Sequence, residues 1–458
     1  MPRLSLIASA ILLAPSAMAQ DHTHTGHASQ QPPTETAKPA EDHSQHSDHR
    51  DHSRHGANGG QADHGAAHGA HAGALGAYSM TRDSSGTAWR PDAAPHSMAM
   101  HHAGDWMLMG HATLDFAYSS QSGPRGDDKG FLAGMVMGSA QRRFDNGNTL
   151  AFRGAISPDP LMGRTGYPLL LAAGETADGV DPLVDRQHPH DLFMELSATY
   201  SHRIDGNQSV FVYAGLPGEP AFGPGAFMHR PAAEVNPEAP ITHHWLDSMH
   251  ITFGVLTAGY INGDIKIEAS RFRGREPDQD RYDIETGELD STAVRLSWNP
   301  SGNWALQASW ADVTSPEQLE PEVDAVKWSA SALYSAALDD GDISLTGSFA
   351  RKDASNGVVL DAWLGEAAFR PNPDWTIYAR AEAIETDELG EHAEHGHHGD
   401  AENVARFTLG AARDVRLSDS VVIALGAAVT RNWTSGALSA LYDGDPVGLL
   451  GFVRVKIS

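Results

Sequence analysis

Histidine is the residue type in this sequence that could do the most chemistry, because imidazole binds transition metals and transfers protons near neutral pH. The chain has 26 histidines, and they are clustered. Near the N-terminus five of them recur at every third position: His43, His46, His49, His52 and His55. In an extended polyproline II chain these rings would line one edge at intervals of about 9 Å. This spacing favours loose binding of several ions over one rigid site.

A second group combines thioether sulfur with imidazole. Met107, Met109 and His111 alternate with apolar residues, and Met135 and Met137 follow the same alternation further on. Soft thioethers together with imidazole form a Cu(I)-type ligand set. The alternative is that the register differs by one residue, so that these methionines meet lipid or a loop folded inwards.

Two long segments hold further donors of the metal-binding type. The candidate ligands are His188, His190, Asp191, His229, His243, His244, Asp247 and His250. A helical turn or two would place His243, Asp247 and His250 on one face, with a spacing that suits a divalent ion bound by nitrogen and oxygen. The alternative is structural: the histidines would hydrogen-bond carboxylates and carbonyls and so hold the two loops in place.

A third histidine-rich segment lies within residues 391–400. It alternates acidic residues with His392, His395, His397 and His398. Four histidines in seven residues favour a low-affinity ion collector. A merely solvated hydrophilic loop is the alternative.

Composition excludes several classes of protein. The chain has no cysteine, which rules out disulfides, thiolate zinc sites and iron–sulfur clusters. Its 59 acidic and 32 basic residues argue against nucleic acid as a partner, because phosphate recognition needs clustered lysine and arginine.

Two N-terminal segments precede the part of the chain that could fold as a barrel. Residues 1–19 combine a basic start, an apolar run and a small-x-small site, which predicts a secretory signal peptide. Residues 20–103 are rich in His, Asp, Ser, Gly and Ala and have little apolar surface to bury. We therefore predict a disordered, histidine-rich arm. The arm would be periplasmic unless it threads the barrel lumen.

From about residue 104 to 458, apolar and polar residues alternate in short runs, which is typical of β-strands with one apolar face. The pattern predicts sixteen strands, near 106–118, 129–143, 149–156, 190–203, 209–215, 250–261, 264–274, 291–299, 304–313, 323–338, 342–351, 358–370, 375–386, 402–416, 420–432 and 447–457. Tight turns alternate with longer loops between them. An even number of strands, short turns at one end and long loops at the other predict an all-β fold, a transmembrane antiparallel β-barrel.

Two other interpretations of the same region are weaker. A soluble propeller would show an internal repeat of about 40–50 residues, and none is present. An outer-membrane hydrolase could arrange Asp185, His188, His190, Asp191 and His250 as acid and base groups. However, the sequence contains neither a G-x-S-x-G nor an H-E-x-x-H motif. We therefore predict that the protein is not an enzyme.

Over 106–458 the chain resembles porin-like outer-membrane barrels. The order of signal peptide, histidine-rich arm and barrel resembles bacterial outer-membrane proteins of the copper resistance protein B type. That resemblance implies copper handling at the outer membrane together with periplasmic copper-handling proteins. The likeness is architectural, because the arm of that family is rich in methionine and here the arm has only Met80, Met98 and Met100.

These features lead to one main hypothesis and one alternative. The main hypothesis is a barrel in the outer-membrane lipid that binds, sequesters or passes transition-metal cations. Copper is favoured over zinc or nickel by the mixture of methionine and histidine. The alternative is a general porin whose arm only buffers metal.

Overall fold

The computed structural model describes residues 72–396 and 398–458. The predicted signal peptide, the greater part of the arm with its five regularly spaced histidines, and His397 lie outside the described residues. The predictions made for them therefore stay predictions.

The described part of the chain forms nineteen strands. These are β1 (Ala99–Ala103), β2 (Trp106–Gln121), β3 (Asp128–Arg143), β4 (Thr149–Ile156), β5 (Tyr167–Thr176), β6 (Pro182–Gln187), β7 (Phe193–Arg203), β8 (Gln208–Gly215), β9 (Val255–Asn262), β10 (Ile265–Phe272), β11 (Ser291–Ser301), β12 (Trp304–Val313), β13 (Ala325–Ala337), β14 (Asp342–Ala354), β15 (Val359–Asn372), β16 (Trp375–Thr386), β17 (Glu402–Arg416), β18 (Val421–Trp433) and β19 (Val447–Ile457). The helical segments are α1 (His243–Leu246), α2 (Leu438–Leu441) and single 3-10 turns at Met80–Arg82, Asp159–Met162, Phe227–His229, Ser248–His250 and Ala393–His395. No helix within the described ranges is long and apolar enough to cross a membrane.

Sixteen of the strands that the structure describes form one closed antiparallel barrel, made of β2, β3, β4 and β7 through β19. Each strand pairs with the next, and β19 pairs with β2 to close the ring. The predicted fold class, strand number and approximate strand positions are therefore confirmed. The remaining strands are additions: β5 and β6 form a hairpin inside a loop, and β1 pairs with the first residues of β2.

Alternation along each strand separates the two faces of the barrel wall. In β10, Ile265 and Ile267 are half-exposed on the outside, whereas Lys266 and Glu268 are fully buried on the inside. Because side chains point to opposite faces at successive positions, one polar row and one apolar row result. The outer surface of the barrel is thus apolar and its interior is polar.

The two ends of the barrel differ. Connections of two to five residues join strands at one end, called here the turn end, where the first barrel strand starts and the last one finishes. At the opposite, loop end, two connections are much longer: residues 157–192, called loop A, and residues 216–254, called loop B. This arrangement of short turns and long loops matches the prediction.

Loop B folds into the lumen and is fixed there by buried ion pairs. Arg230 has no exposed side-chain surface, and its guanidinium donates to Glu366 on β15 at 2.9 Å and to Asp247 at 2.5 Å. Arg406 on β17 donates to Glu238 of loop B at 2.7 Å. The loop therefore crosses the barrel interior and narrows it.

The predicted boundary of the arm is corrected by the structure. Residues 72–103, assigned above to a disordered segment, are folded, and several of them pack against the barrel wall. Leu75, Tyr78 and Trp89 form a buried cluster with Phe211 and Ile261 of the wall. These three apolar side chains supply the buried surface that the histidine-rich part of the arm lacks. The composition of the whole segment is dominated by polar and small residues, so it did not indicate them.

Candidate metal site

Five histidines from loops A and B lie together inside the barrel. We call His188, His190, His243, His244 and His250 the inner histidine cluster. The ring centroids of His190 and His250 are 5.1 Å apart, and those of His243 and His250 are 5.2 Å apart. His188 lies 6.0 Å from His243 and 6.1 Å from His244. The two loops thus meet through their histidines, as their positions on neighbouring hairpins predict.

Oxygen acceptors fix three of these rings through the Nδ1 atom. The helical turn expected at the start of this segment is present as α1, and Nδ1 of His243 lies 2.8 Å from Oδ1 of Asp247. Nδ1 of His250 lies 2.6 Å from the backbone oxygen of Asp247. In loop A, Nδ1 of His190 lies 2.7 Å from Oδ2 of Asp159. Each acceptor holds the proton on Nδ1 and so leaves the lone pair on Nε2.

The Nε2 atoms of His190 and His250 are buried without a partner. Neither has a hydrogen bond to any of the described residues. A buried polar atom in this state costs about 1–3 kcal/mol, so such atoms are rare unless a water, ion or ligand satisfies them. Imidazoles held at Nδ1 by an oxygen and open at Nε2 are the usual arrangement around a protein-bound metal. The residues present therefore fit a transition-metal cation.

Burial keeps three rings of the cluster, His188, His244 and His250, uncharged. Removal from water lowers the pKa of His250 to about 3 and that of His244 to about 4. Burial, followed by the charge of Arg281, holds the pKa of His188 well below its usual range. Neutral imidazole is the form that donates a lone pair to a metal, so these rings need no deprotonation at pH 7.

The two predicted oxygen ligands are paired with arginines. Asp247 accepts from Arg230, and Asp191 lies 3.2 Å from Arg281. Burial would raise the pKa of Asp247, but the Arg230 guanidinium and the hydrogen bond with His243 outweigh it and hold that pKa below its usual range. In the structure Asp247 therefore holds Arg230 and His243, and Asp191 holds Arg281.

Carboxylates continue from the cluster towards the loop end. One oxygen of Glu175 and one nitrogen each of His188 and His244 all lie within 4.8 Å of one another. His244, Glu276 and Glu317 form a second group of the same kind. Such sets of nitrogen and oxygen donors suit divalent cations.

The acidic loop that contains residues 391–400 differs from the inner histidine cluster in the charge of its histidines. Nδ1 of His398 lies 3.0 Å from Asp387, and Nε2 lies 3.0 Å from Glu320 of a neighbouring loop. The hydrogen bond with Asp387 is the largest cause that raises the pKa of His398 to about 9. His392 and His395 are exposed and stack at 6.4 Å. At neutral pH, His398 is therefore a cation that joins two loops.

Towards the turn end the inner histidine cluster adjoins a cavity of about 450 Å³. Met109 and His111 line it, as do Met135 and Met137, so these side chains face the lumen and not the lipid. The row also meets a folded-in loop, because Met135 packs against Ile251 and Phe253. The remaining member, Met107, is buried. The ring of His229 lies 6.4 Å from that of His111.

Sequence reasoning missed the residues that support the histidines. Asp159, which orients His190, was not a candidate, and neither were the carboxylates Glu175, Glu276 and Glu317. They come from three different loops, and nothing in their local sequence separates them from the many other acidic residues. Only the fold brings them to the histidines.

The barrel is similar in fold to solved outer-membrane proteins. Salmonella typhi OmpF in complex with daunomycin matches 78% of this chain and 100% of its own, with a TM-score of 0.50 and 10% identity. An anion-selective porin from Comamonas acidovorans matches 79% of this chain and 100% of its own (TM-score 0.46, 10% identity). OmpT of Vibrio cholerae, an outer membrane protein, matches 78% of this chain and 99% of its own, with a TM-score of 0.43 and 9% identity. No protein-family model matches the chain, and no curated protein matches it in sequence. At these identities the likeness concerns the fold alone.

Proposed function

We propose that this chain is an outer-membrane channel protein that binds transition-metal cations at the inner histidine cluster and passes them through the barrel, with copper as the favoured ion. The observation that carries the proposal is the pair of buried Nε2 atoms of His190 and His250, which have no partner in the described part of the chain. Periplasmic copper-handling proteins, met at the turn end, are the expected exchange partners.

The outer surface supports a position in lipid. Large apolar side chains point away from the lumen, and Phe116 and Trp363 are each more than half exposed. An apolar belt around a closed barrel is the arrangement that a bilayer stabilises. The predicted signal peptide agrees with this location. Export directed by this signal peptide would place the histidine-rich arm in the periplasm, on the side of the turn end.

The type of donor supports copper. Imidazole nitrogen suits copper, zinc and nickel, and among the divalent ions copper binds such sites most tightly. Uncharged donors in a buried site also avoid a surplus of negative charge that would favour hard ions such as calcium. Zinc and nickel remain possible substrates of the same site.

Acidic residues on the loop side support entry of cations. Glu175, Glu276 and Glu317 adjoin His188 or His244 between the loop end and the cluster. Each has a basic neighbour, Arg281, Lys327 or Lys352, so it contributes an oxygen donor and not an unpaired negative charge. A cation would exchange oxygen donors for nitrogen donors as it moves inwards.

The test measures entry of Cu²⁺ into vesicles that contain the full chain. A dye inside reports Cu²⁺, and vesicle swelling reports entry of an uncharged sugar. We expect the double variant His190→Ala/His250→Ala to lower the ratio of copper entry to sugar entry at least tenfold. The control His202→Ala, at an exposed position on β7, should leave the ratio unchanged.

An unchanged ratio in the double variant would overturn the proposal. The general diffusion channel, which the barrel fold favours, would then be the better account. A hydrolytic site has less support, because Asp185 forms an ion pair with Arg125 at 2.6 Å and accepts a hydrogen bond from Tyr442 at 2.7 Å.

A further inference from the structure

Methionines are concentrated around the cavity between the inner histidine cluster and the turn end. The chain has 13 methionines. The methionines that line this one cavity are Met80, Met98, Met109, Met135, Met137 and Met228. They come from the folded N-terminal segment, from β2 and β3, and from loop B, so separate elements bring their sulfur atoms to one space.

Imidazoles join the thioethers at the wall of the cavity. His111 on β2 lies directly opposite Met137 on β3, and its ring is 6.4 Å from that of His229. His229 follows Met228 in loop B, and Met228 packs against the cluster around Met135. Nδ1 of His111 is buried and has no hydrogen bond within the described ranges.

The carboxylates that line this cavity are engaged elsewhere. Asp115 accepts two hydrogen bonds from Arg454, at 2.7 and 2.8 Å, and Asp159 is bonded to His190. Glu234 pairs with Arg370 at 2.8 Å, Asp414 pairs with Lys456, and Asp83 accepts from the Tyr78 hydroxyl at 2.6 Å. The cavity therefore offers neutral sulfur and nitrogen donors and few free negative charges.

Positive and negative side chains around the cavity nearly balance. Five arginines and Lys456 face five carboxylates there. The type of donor therefore decides which ion the cavity takes. Thioether sulfur prefers soft monovalent ions such as Cu(I).

We propose that this cavity is a second binding site, which takes a soft monovalent cation such as Cu(I) or Ag(I). The donors are the thioethers of Met109, Met135, Met137 and Met228 with the imidazoles of His111 and His229. The inference rests on the proposed function, because His188 and His190 line the same cavity and connect it to the inner histidine cluster. The lumen would then hold a nitrogen site and a sulfur site in series.

The sequence makes a decisive test possible. The chain has no cysteine, and residues 20–71 contain no methionine. Sulfur bound to copper can therefore come only from methionine, and the histidine-rich residues 20–71 cannot supply it. X-ray absorption of the full chain loaded with one equivalent of Cu(I) should show sulfur neighbours at about 2.3 Å, the distance typical of metal–sulfur bonds.

Variants locate the sulfur donors. Met109→Leu/Met137→Leu keeps the volume of both side chains. It should remove most of the sulfur signal and weaken Ag(I) binding at least tenfold. Met194→Leu is the matched control, since Met194 packs with Met135 but does not line the cavity. The Met194→Leu variant should retain both the sulfur signal and the affinity for Ag(I).

Copper with nitrogen neighbours only, or an unchanged sulfur signal in Met109→Leu/Met137→Leu, would overturn the second site. The methionines would then be apolar packing against Ile251 and Phe253. Neither result alters the vesicle test, which depends on His190 and His250. Failure of this inference is thus distinct from failure of the proposed function.

Discussion

The inner histidine cluster and His398 hold the same side chain in opposite electrostatic environments. His250 is buried, its Nδ1 meets a backbone carbonyl, and its pKa falls to about 3. His398 lies between Asp387 and Glu320, and its pKa rises to about 9. Burial makes His250 a neutral donor, whereas the hydrogen bond with Asp387 makes the less buried His398 a cation. Histidine content alone therefore does not identify a metal site.

Arginines contribute to this difference between the two electrostatic environments. Beside the inner histidine cluster, Arg230 neutralises Asp247 and Arg281 lies against Asp191. These carboxylates can therefore orient or support the histidines without adding net negative charge. At His398 two carboxylates act on one partly exposed ring.

The largest effect is expected from Arg230→Met, which removes the guanidinium between Asp247 and Glu366. Two buried carboxylates would lose this guanidinium, leaving Asp247 with His243 and Glu366 with Arg380 at 3.3 Å. Breaking a buried pair in this way costs about 3–5 kcal/mol. We expect loop B to leave the lumen and to become sensitive to proteinase K in the folded barrel. The control Arg351→Met breaks an exposed pair with Asp361 and should leave loop B protected. Protection of loop B in Arg230→Met would contradict the role of this network.

A smaller effect is expected from Asp159→Asn, which keeps the shape of the side chain but removes its charge. Asp159 fixes Nδ1 of His190, and loss of such a supporting group commonly weakens metal binding 10–100-fold. The Cu²⁺ concentration that half-saturates entry into vesicles should rise by that factor. Asp361→Asn serves as the control. Equal half-saturation in Asp159→Asn and the unaltered chain would show that Asp159 does not support the site.

Low pH should destabilise the metal-free protein, because the buried histidine rings bind protons more weakly in the folded chain than in the unfolded chain. In the unfolded chain histidines take up protons near pH 6.5, whereas His244 and His250 stay neutral until about pH 4 and 3 when folded. Stability should therefore fall as the pH drops below about 6.5 and continue to fall towards pH 4. Urea unfolding in lipid vesicles measures this slope. The variant His244→Gln/His250→Gln should have a shallower slope, and an equal slope would contradict the assignment.

High pH should weaken the contacts of His398, whereas low pH weakens the region around the buried rings. The effect at His398 should be smaller. Its pKa is raised, so its contribution is complete below about pH 6.5 and is lost as the pH rises through about 9. The ring is about one-third exposed, so solvent screens the effect. Hydrogen exchange in residues 314–324 and 387–401 should show a loss of protection between pH 8 and 10. His398→Gln should abolish that change and leave the copper-to-sugar ratio intact, whereas a lower ratio would make His398 part of the cation path.

Local periodicity predicted the barrel well because each strand carries its own alternation of apolar and polar residues. The meeting of His188 and His243 was also predictable, since neighbouring hairpins place their loops side by side. The contacts of Asp159 with His190 and of Arg230 with Glu366 were not predictable, because they join residues from separate elements. The folded segment around Trp89 was missed for a related reason: its partners, such as Phe211, lie in the wall.

We propose that a cation binds at the inner histidine cluster through Nε2 of both His190 and His250. Anomalous X-ray scattering at the copper edge, from crystals of the full chain grown with Cu²⁺, tests it most directly. We predict a peak about 2.0–2.1 Å from both Nε2 atoms, the usual distance for metal–imidazole bonds. A structure with copper bound elsewhere, in which both Nε2 atoms are hydrogen-bonded to water or protein, would contradict the account.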